Sequence, residues 1–311
     1  IVQMNDNRGS FFELKKLSDK SVVATNDELY PKGFPNQWDN GVPFRTNERL
    51  AIGEVRPTDV LVLGLDQLKL EGGAVCTNQN TQPAGLSALW SFAELLRKGC
   101  DTFLDIPSNE LSVGLQPELT AAGFRTSRVF VADTHENGAG YASALGEPAN
   151  LKAVFDDICK SIGPDLESSW HGNCDSACPD CLRSWDNRFL HGFLDWRLGL
   201  DLADLAQGHK LDTSRWFNRS DRLLSTFLKG LGRHLSVVQG EVNGLPALLA
   251  EDKSTAVIFG HPLWQHDEAG SFFNETQADA VAGIEDEYRN VVMSDLFVLD
   301  RSPIKIFGFF N

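Results

Sequence analysis

The sequence predicts a mixed α/β fold of the α+β type, in which a strand-rich domain is followed by a small α/β unit. Residues 1–65 consist mainly of β-branched and apolar runs, which are typical of strands. The middle of the chain has apolar residues at helical spacing, and the part after residue 210 alternates strand-like runs with one helix. We therefore predict two domains, 1–210 and 211–311.

The first domain begins with predicted strands at "FFELKKL", "SVVATN" and "ERLAIGEVRPTDVLVLGL", interrupted by the turn-rich loop "PKGFPNQWDNG". "LSALWSFAELLRKG" has apolar residues every three or four positions and predicts a helix that ends at Gly99. "DTFLDI" and "SRVFVADT" are short apolar runs between polar turns, so we expect buried strands there.

A glycine turn and three helices are predicted next. In "THENGAGY", Gly138 and Gly140 are expected to serve a turn rather than a phosphate site, because Asp133 and Glu136 would repel an anion. "NLKAVFDDICKSIG" predicts a helix from an Asn150 cap to a Gly163 stop. "RFLHGFLDWRLGLDLADLAQG" predicts a long amphipathic helix, and "RSDRLLSTFLKGLGRH" predicts another that is capped by Ser220.

The second domain is predicted to contain the strands "LSVVQG", "LPALLA", "TAVIFGHPLW" and "NVVMSDLFVLD", with the helix "NETQADAVAGIEDEY" between the last two. Glu251 and Lys253 form an E-x-K pair that faintly resembles metal-dependent nucleases. The segment "AEDKS" lies where a hairpin turn should join two apolar runs, so we predict a turn and no catalytic residue.

Composition limits the classes of function. A net charge of −15 argues against a surface that coats nucleic acid, although a local basic face remains compatible with it. The sequence lacks a secretory signal and an apolar run of membrane-spanning length, so we expect no membrane. The chain begins with Ile1, and we interpret it as a piece of a longer protein. Six cysteines, three of them crowded together, indicate metal ligands in a reducing compartment, and we expect the cytoplasm.

The crowded segment is "HGNCDSACPDC", which contains Cys174, Cys178 and Cys181. Short cysteine spacings present thiolates to Zn²⁺, which prefers four sulfur or nitrogen ligands. The fourth ligand is open: His171 is nearest, whereas Cys159 falls on the apolar face of a predicted helix. The zinc is expected to be structural, because a catalytic site needs an open position and a general base, and the H-x-E motif of deaminases is absent.

Basic and aromatic residues follow the cysteines. Arg183, Arg188 and Arg197 alternate with Trp185 and Trp196, a pattern that would suit phosphate contacts and base stacking on single-stranded DNA. The alternative is that Arg188 and Arg197 form ion pairs with Asp186, Asp195 and Asp201 on a helix surface. The sequence favours neither interpretation.

Several segments together resemble a known family. In order, "PTDVLVL", "LDIPSNEL", "VFVADTHENGAGYASAL" and "CDSACPDCLRSWDNRFLHGFLDWRLGLDLA" are similar to the MrfA-like zinc-binding domain, over roughly residues 45–210. This family usually has four cysteines, and the first position falls on Gly172 in this chain. The resemblance therefore implies ligation by Cys174, Cys178 and Cys181, with His171 as the natural substitute for the fourth cysteine.

The resemblance also implies a function, because the family lies at the C-terminal end of superfamily 2 DNA helicases of DNA repair and of antiphage systems such as Druantia and DISARM. No G-x-x-x-x-G-K-[ST] loop occurs in the sequence, so we expect ATP binding and hydrolysis to belong to a helicase motor upstream in the full-length protein. The expected role is DNA handling beside that motor. The alternative is a protein–protein docking module of a defence or repair complex that never contacts DNA.

Overall fold

The structure is a computed structural model. It describes residues 57–64, 83–118, 126–264 and 275–311 with their side chains. For seven short strands before residue 75, and for residues 119 and 125, it describes the backbone only. The turn-rich loop at 31–41 lies outside the described residues.

The described residues fall into two compact units, 1–59 with 135–139 and 60–134 with 140–311. The first unit contains an antiparallel pair, β1–β5, and a three-stranded sheet in the order β3-β2-β4. Their bounds are Val2–Asn5 (β1), Glu13–Lys16 (β2), Val22–Thr25 (β3), Val42–Pro43 (β4) and Ile52–Val55 (β5). The predicted boundary at residue 210 stays a prediction, since residues on both sides of it share one hydrophobic core in the second unit.

The second unit opens with an antiparallel sheet and a long helix. The sheet has the order β6-β10-β9, with β6 at Val60–Leu63, β9 at Leu111–Leu119 and β10 at Arg125–Asp133. A short hairpin, β7 (Lys69–Leu70) and β8 (Gly73–Ala74), precedes helix α1, Pro83–Leu104. The prediction that α1 ends at Gly99 is wrong, and most of "DTFLDI" is helical. An added Cβ at Gly99 would lie 2.8 Å from Ile158, so this glycine permits close packing inside the helix.

The glycine turn is confirmed, because Gly138 and Gly140 have φ angles of 76° and 86°. Helix α2 (Tyr141–Leu145) follows, and its first two N–H groups donate to the carboxylate of Asp133 at 3.1 and 2.8 Å. These N–H groups are therefore already paired with the negatively charged Asp133 side chain, which would repel a bound anion. The segment therefore has the structural role that was predicted for it.

The next helical run is longer than predicted. Helix α3 spans Pro148–Asp157, a π-helical turn covers Ile158–Ile162, and α4 spans Gly163–Glu167. Asn150 is not its cap and Gly163 does not stop it. Proline is favoured at the first helical position, which moves the start to Pro148. Gly163 lies in the continuing helical path, with φ −59° and ψ −54°.

The long helix predicted from residue 188 begins eight residues later, because Asp195 caps it. Its carboxylate accepts the N–H of Arg197 at 3.0 Å, and α5 spans Trp196–Ala206. Ser91 on α1 accepts the N–H of Asp195 at 2.8 Å. At Gly199 an added Cβ would lie 3.0 Å from the Ser91 carbonyl oxygen, so α1 and α5 pack closely.

The remaining helices and sheet complete the second unit. Helices α6 (Ser214–Phe217) and α7 (Ser220–Lys229) follow α5; Arg219, not Ser220, holds the cap position of α7. The final sheet has the order β11-β12-β13-β14, antiparallel except for its last pair. Its strands are Val237–Val242 (β11), Leu245–Ala250 (β12), Thr255–Gly260 (β13) and Asn290–Asp295 (β14). Helix α8 is Glu275–Ala282, α9 is Leu296–Arg301 and α10 is Pro303–Gly308.

The fold class is confirmed as mixed α/β, with one correction in this sheet. "LFVLD" was expected to extend the last strand, but Asp295 accepts the N–H of Val298 at 2.8 Å and starts α9 there. Glu251 and Lys253 lie in the hairpin turn between β12 and β13, as predicted. The ammonium of Lys253 contacts Glu287 and the hydroxyl of Tyr288 at 3.0 and 3.1 Å.

Candidate metal centre

The segment between α4 and α5 is folded by short turns rather than by helices or strands. A 3₁₀ turn at Ser169–His171 follows α4, and the N–H of Cys174 donates to the carbonyl oxygen of His171 at 2.9 Å. The N–H groups of Cys181 and Arg183 both donate to the carbonyl oxygen of Cys178, at 3.1 and 3.0 Å. These turns bring the four predicted ligand side chains together.

The four ligand atoms lie close enough together to share one zinc ion. The sulfurs of Cys174 and Cys181 are 3.9 Å apart, and Cys178 Sγ lies 3.4 Å from His171 Nε2. All four ligand atoms lie within 4.8 Å of one another. In a tetrahedral zinc site, two sulfurs lie about 3.8 Å apart and a sulfur and a nitrogen about 3.6 Å apart, from ordinary bond lengths. The two distances of 3.9 and 3.4 Å are close to these values, and the whole cluster is compact enough to enclose one zinc ion.

The tautomer of His171 also suits a metal ligand. Its Nδ1 lies 2.8 Å from the carbonyl oxygen of Leu166, so Nδ1 carries the hydrogen and donates it. Nε2 then keeps its lone pair and points toward Cys178. A hydrogen bond of this kind from the other ring nitrogen fixes the orientation of metal-bound histidines. The ring is buried, with the edge of Trp196 at a centroid distance of 5.4 Å.

The electrostatics of the cluster require a cation for the thiolate forms. Burial, and next the neighbouring Cys181, raise the pKa of the Cys174 thiol. Burial likewise raises the pKa of Cys181. When a dication binds crowded thiols, their protons are released and thiolates form. Thiolates favour zinc over hard cations. Cys174, Cys178, Cys181 and His171 would therefore hold Zn²⁺ in a closed, structural site.

Side chains from two helices brace this loop. On α1, the Lys98 ammonium donates to the carbonyl oxygens of Asp180 and Cys181, at 2.7 and 3.2 Å. On α5, the Arg197 guanidinium donates to the carbonyl oxygens of Asp175 and Cys174, at 2.8 and 3.3 Å. These hydrogen bonds join the segment after α4 to both helices.

The arginines that were predicted to contact DNA lie in different environments. Arg197 is 8% exposed and pairs with Asp195, as in the ion-pair alternative. The Arg188 side chain is exposed, and its guanidinium lies 4.9 Å from the ring centre of Trp185. Arg183, which precedes both in the sequence, is partly buried. Arg188 is thus the member of the set that is most accessible to a phosphate.

The tail "LRSWDN" after Cys181 forms a tight turn through one asparagine. Asn187 Oδ1 accepts the N–H of Ser184 at 2.8 Å, and its amide donates to the carbonyl oxygen of Leu182 at 2.8 Å. This turn leaves the side chain of Trp185 79% exposed and that of Phe189 73% exposed. The sequence pattern indicated Trp185 but not Phe189, because the exposure of Phe189 depends on α5 starting only at Trp196.

The other cysteines do not join the cluster in the part of the chain that the structure describes. Cys100 is fully buried in α1. Cys159 lies in the π-helical turn and its Sγ is 3.5 Å from Asp204 Oδ1, so it has a polar partner rather than the purely apolar surroundings that we expected. Cys76 lies outside the described residues.

Comparison with known proteins agrees with this geometry. Residues 92–182, which include all four ligands, match the family model described as "MrfA Zn-binding domain". This part of the chain is therefore similar to a zinc-binding domain. The resemblance stated from sequence motifs is thereby confirmed over a range narrower than the predicted 45–210.

A curated relative also matches in part. The Druantia protein DruE of Escherichia coli (strain UMEA 4076-1) is 32% identical over 129 residues, which cover 38% of this chain and 6% of the relative. The chain thus corresponds to a small part of that protein. No solved structure matches the chain. Among the described residues, no helix combines the length and apolar character needed to cross a membrane.

Proposed function

We propose that the chain is a zinc-stabilised accessory region of an ATP-dependent DNA helicase, and that it handles DNA in bacterial DNA repair or antiphage defence. The MrfA Zn-binding domain supports the helicase context through the family resemblance. Similarity to a Druantia protein favours the antiphage setting. ATP binding and hydrolysis would belong to a motor elsewhere in the full-length protein, which would be the first partner of this region.

The observation that carries the DNA proposal is the exposed pair Trp185 and Phe189 beside Arg188. Exposed aromatic side chains that lie together on one surface are typical of binding sites. Base stacking on an aromatic ring contributes about 1–3 kcal/mol per base, and a neighbouring guanidinium can contact the phosphates. The zinc cluster and Asn187 fix the turn that presents these three side chains, so a structural metal would serve DNA contact indirectly.

A second candidate function is a docking module for proteins. The net charge of −15 favours it, and exposed Asp180 and Asp186 lie in the same loop as the aromatic pair. Exposed tryptophan and arginine are also the residues that dominate protein–protein interfaces. On this alternative the same surface would bind a protein of a defence or repair complex and would have no measurable affinity for DNA.

Binding of a fluorescent single-stranded oligonucleotide, followed by anisotropy across a salt series, separates the two functions. DNA handling predicts binding that weakens with salt, and at least a tenfold loss of affinity when Trp185→Ala and Arg188→Ala are combined. Phe309→Ala with Arg289→Ala is the matched control, since both residues are exposed elsewhere in the second unit. Equal affinity of the two double variants would contradict the proposed surface, and no binding at low salt would favour the docking module. Arg197 is avoided because its loss would disturb the metal loop.

A further inference from the structure

A second cluster of metal-ligand side chains lies outside the zinc site. Cys159 Sγ and His209 Nδ1 each lie 3.5 Å from Asp204 Oδ1, and all three ligand atoms lie within 4.8 Å of one another. In a tetrahedral zinc site, an oxygen lies about 3.5 Å from a sulfur and about 3.3 Å from a nitrogen, from ordinary bond lengths. The two distances from Asp204 therefore match edges of a zinc tetrahedron, and the sulfur and the nitrogen lie within 4.8 Å of each other.

Two irregular backbone segments bring these side chains together. Cys159 lies in the π-helical turn at Ile158–Ile162, a type of distortion that recurs at functional sites. After α5, Gly208 has a φ of 77°, which reverses the chain so that the His209 N–H donates to the Asp204 carbonyl oxygen at 2.9 Å. That reversal places the imidazole over the carboxylate. If α5 ended without this reversal, the His209 imidazole would not lie beside Asp204.

The surrounding charges favour a dication. Arg215 contacts the carboxylates of Glu167, Asp201 and Asp204 at 2.6, 2.9 and 2.7 Å. Three carboxylates thus share one guanidinium, which leaves a local excess of negative charge. Arg215 contacts Oδ2 of Asp204, whereas Cys159 and His209 face Oδ1. The oxygen that would bind the metal is therefore the one that Arg215 leaves open.

We propose that Cys159, Asp204 and His209 form a second zinc site, with water as the fourth ligand. One thiolate, one imidazole and one carboxylate are a borderline-soft donor set that suits Zn²⁺ better than Mg²⁺ or Ca²⁺. Three protein ligands leave one coordination position open, in contrast to the closed cluster of three cysteines and one histidine. His209 is more than half exposed, so solvent reaches this site.

Metal analysis of the 311-residue chain, saturated with zinc and then desalted, tests the proposal. The wild type should hold two zinc ions per chain, and His209→Ala should hold one. His209 is chosen because its exposed side chain can be removed without disturbing the core. His234→Ala, which removes another exposed histidine, should still hold two. One zinc in the wild type, or two in His209→Ala, would overturn the proposal.

Cobalt substitution assigns each ion to its site. Thiolate-to-cobalt charge-transfer absorption scales with the number of bound thiolates, which would be three at the first site and one at the second. Cys159→Ser should remove about a quarter of this absorption, whereas His171→Ala should leave the second site loaded. If Cys159→Ser leaves the absorption unchanged in a folded variant, no metal binds this thiol and the proposal fails.

Discussion

Residues 168–195 contain two helical turns of three residues each, whereas strands β11–β14 form a four-stranded sheet with helix α8 against it. Inside the sheet, every residue of β13 is buried. In the loop, four ligand side chains lie together, and Lys98 and Arg197 donate hydrogen bonds to its backbone. The sheet is stabilised by apolar burial, whereas we expect the loop to depend on a metal. The two regions should therefore respond differently to the same perturbations.

The largest expected effect comes from Cys178→Ser. Structural zinc binding contributes about 10–16 kcal/mol in zinc-finger peptides, so losing one ligand should unfold residues 168–195 locally. We expect one zinc ion to be lost, and limited proteolysis should cut this loop while the sheet β11–β14 stays intact. Cys100→Ala, which removes a buried thiol outside the cluster, serves as the control and should keep its full zinc content. If the protease leaves residues 168–195 uncut in Cys178→Ser that has lost this zinc ion, the metal does not order this region.

Phe259→Ala should produce the converse result. The ring is fully buried in β13, and truncating a buried phenylalanine costs about 3–5 kcal/mol of unfolding free energy. Chemical denaturation followed by the circular dichroism of the sheet should show this loss, while zinc content at low denaturant stays unchanged. Release of zinc from folded Phe259→Ala would contradict the separation of the two regions.

Gly199→Ala should have a smaller effect that reaches both regions. The added methyl group would lie 3.0 Å from the Ser91 carbonyl oxygen, and such overpacking costs about 1–3 kcal/mol. Because α5 carries Arg197, moving this helix away from α1 should also weaken zinc binding in a chelator competition. Gly192→Ala is the matched control, since an added Cβ there contacts nothing within 4 Å. Identical zinc affinity in both variants would show that α5 does not brace the loop.

The smallest expected effect concerns the pH dependence of the sheet region. Burial raises the pKa of Asp295 from 3.8 to about 6. Folding therefore takes up a proton between about pH 4 and about pH 6, and stability should fall as the pH rises through that window. Asp295→Asn keeps a side-chain oxygen for the helix cap and removes the titration. Its unfolding free energy should fall less steeply over this window than that of the wild type, at equal zinc saturation. Parallel pH profiles would show that Asp295 does not titrate there.

That the four candidate zinc ligands lie together could be predicted from sequence, because they are close neighbours along the chain. Cys174, Cys178, Cys181 and His171 lie within eleven residues, so short turns suffice to bring them together. The helix boundaries were predicted less well. Gly99 and Gly163 were interpreted as helix stops, but each lies within a helical path where another chain segment packs closely. A glycine that ends a helix and one that admits a neighbour look the same in a single sequence.

The long-range features of the site could not be predicted. Arg197 was grouped with Arg188 because both follow the cysteines, yet the late start of α5 turns Arg197 toward the metal loop. The cluster of Cys159, Asp204 and His209 joins residues up to fifty positions apart, across a π-helical turn that periodicity does not reveal. Side-chain partners at this separation depend on tertiary packing, which a pattern in one sequence does not specify.

Hydrogen–deuterium exchange of the 311-residue chain, before and after verified removal of metal, tests the central claim most directly. The account predicts that amides of residues 171–195 lose their protection in the metal-free protein, whereas amides of β11–β14 exchange as before. Unchanged protection of residues 171–195 without metal would contradict the claim that zinc orders this loop.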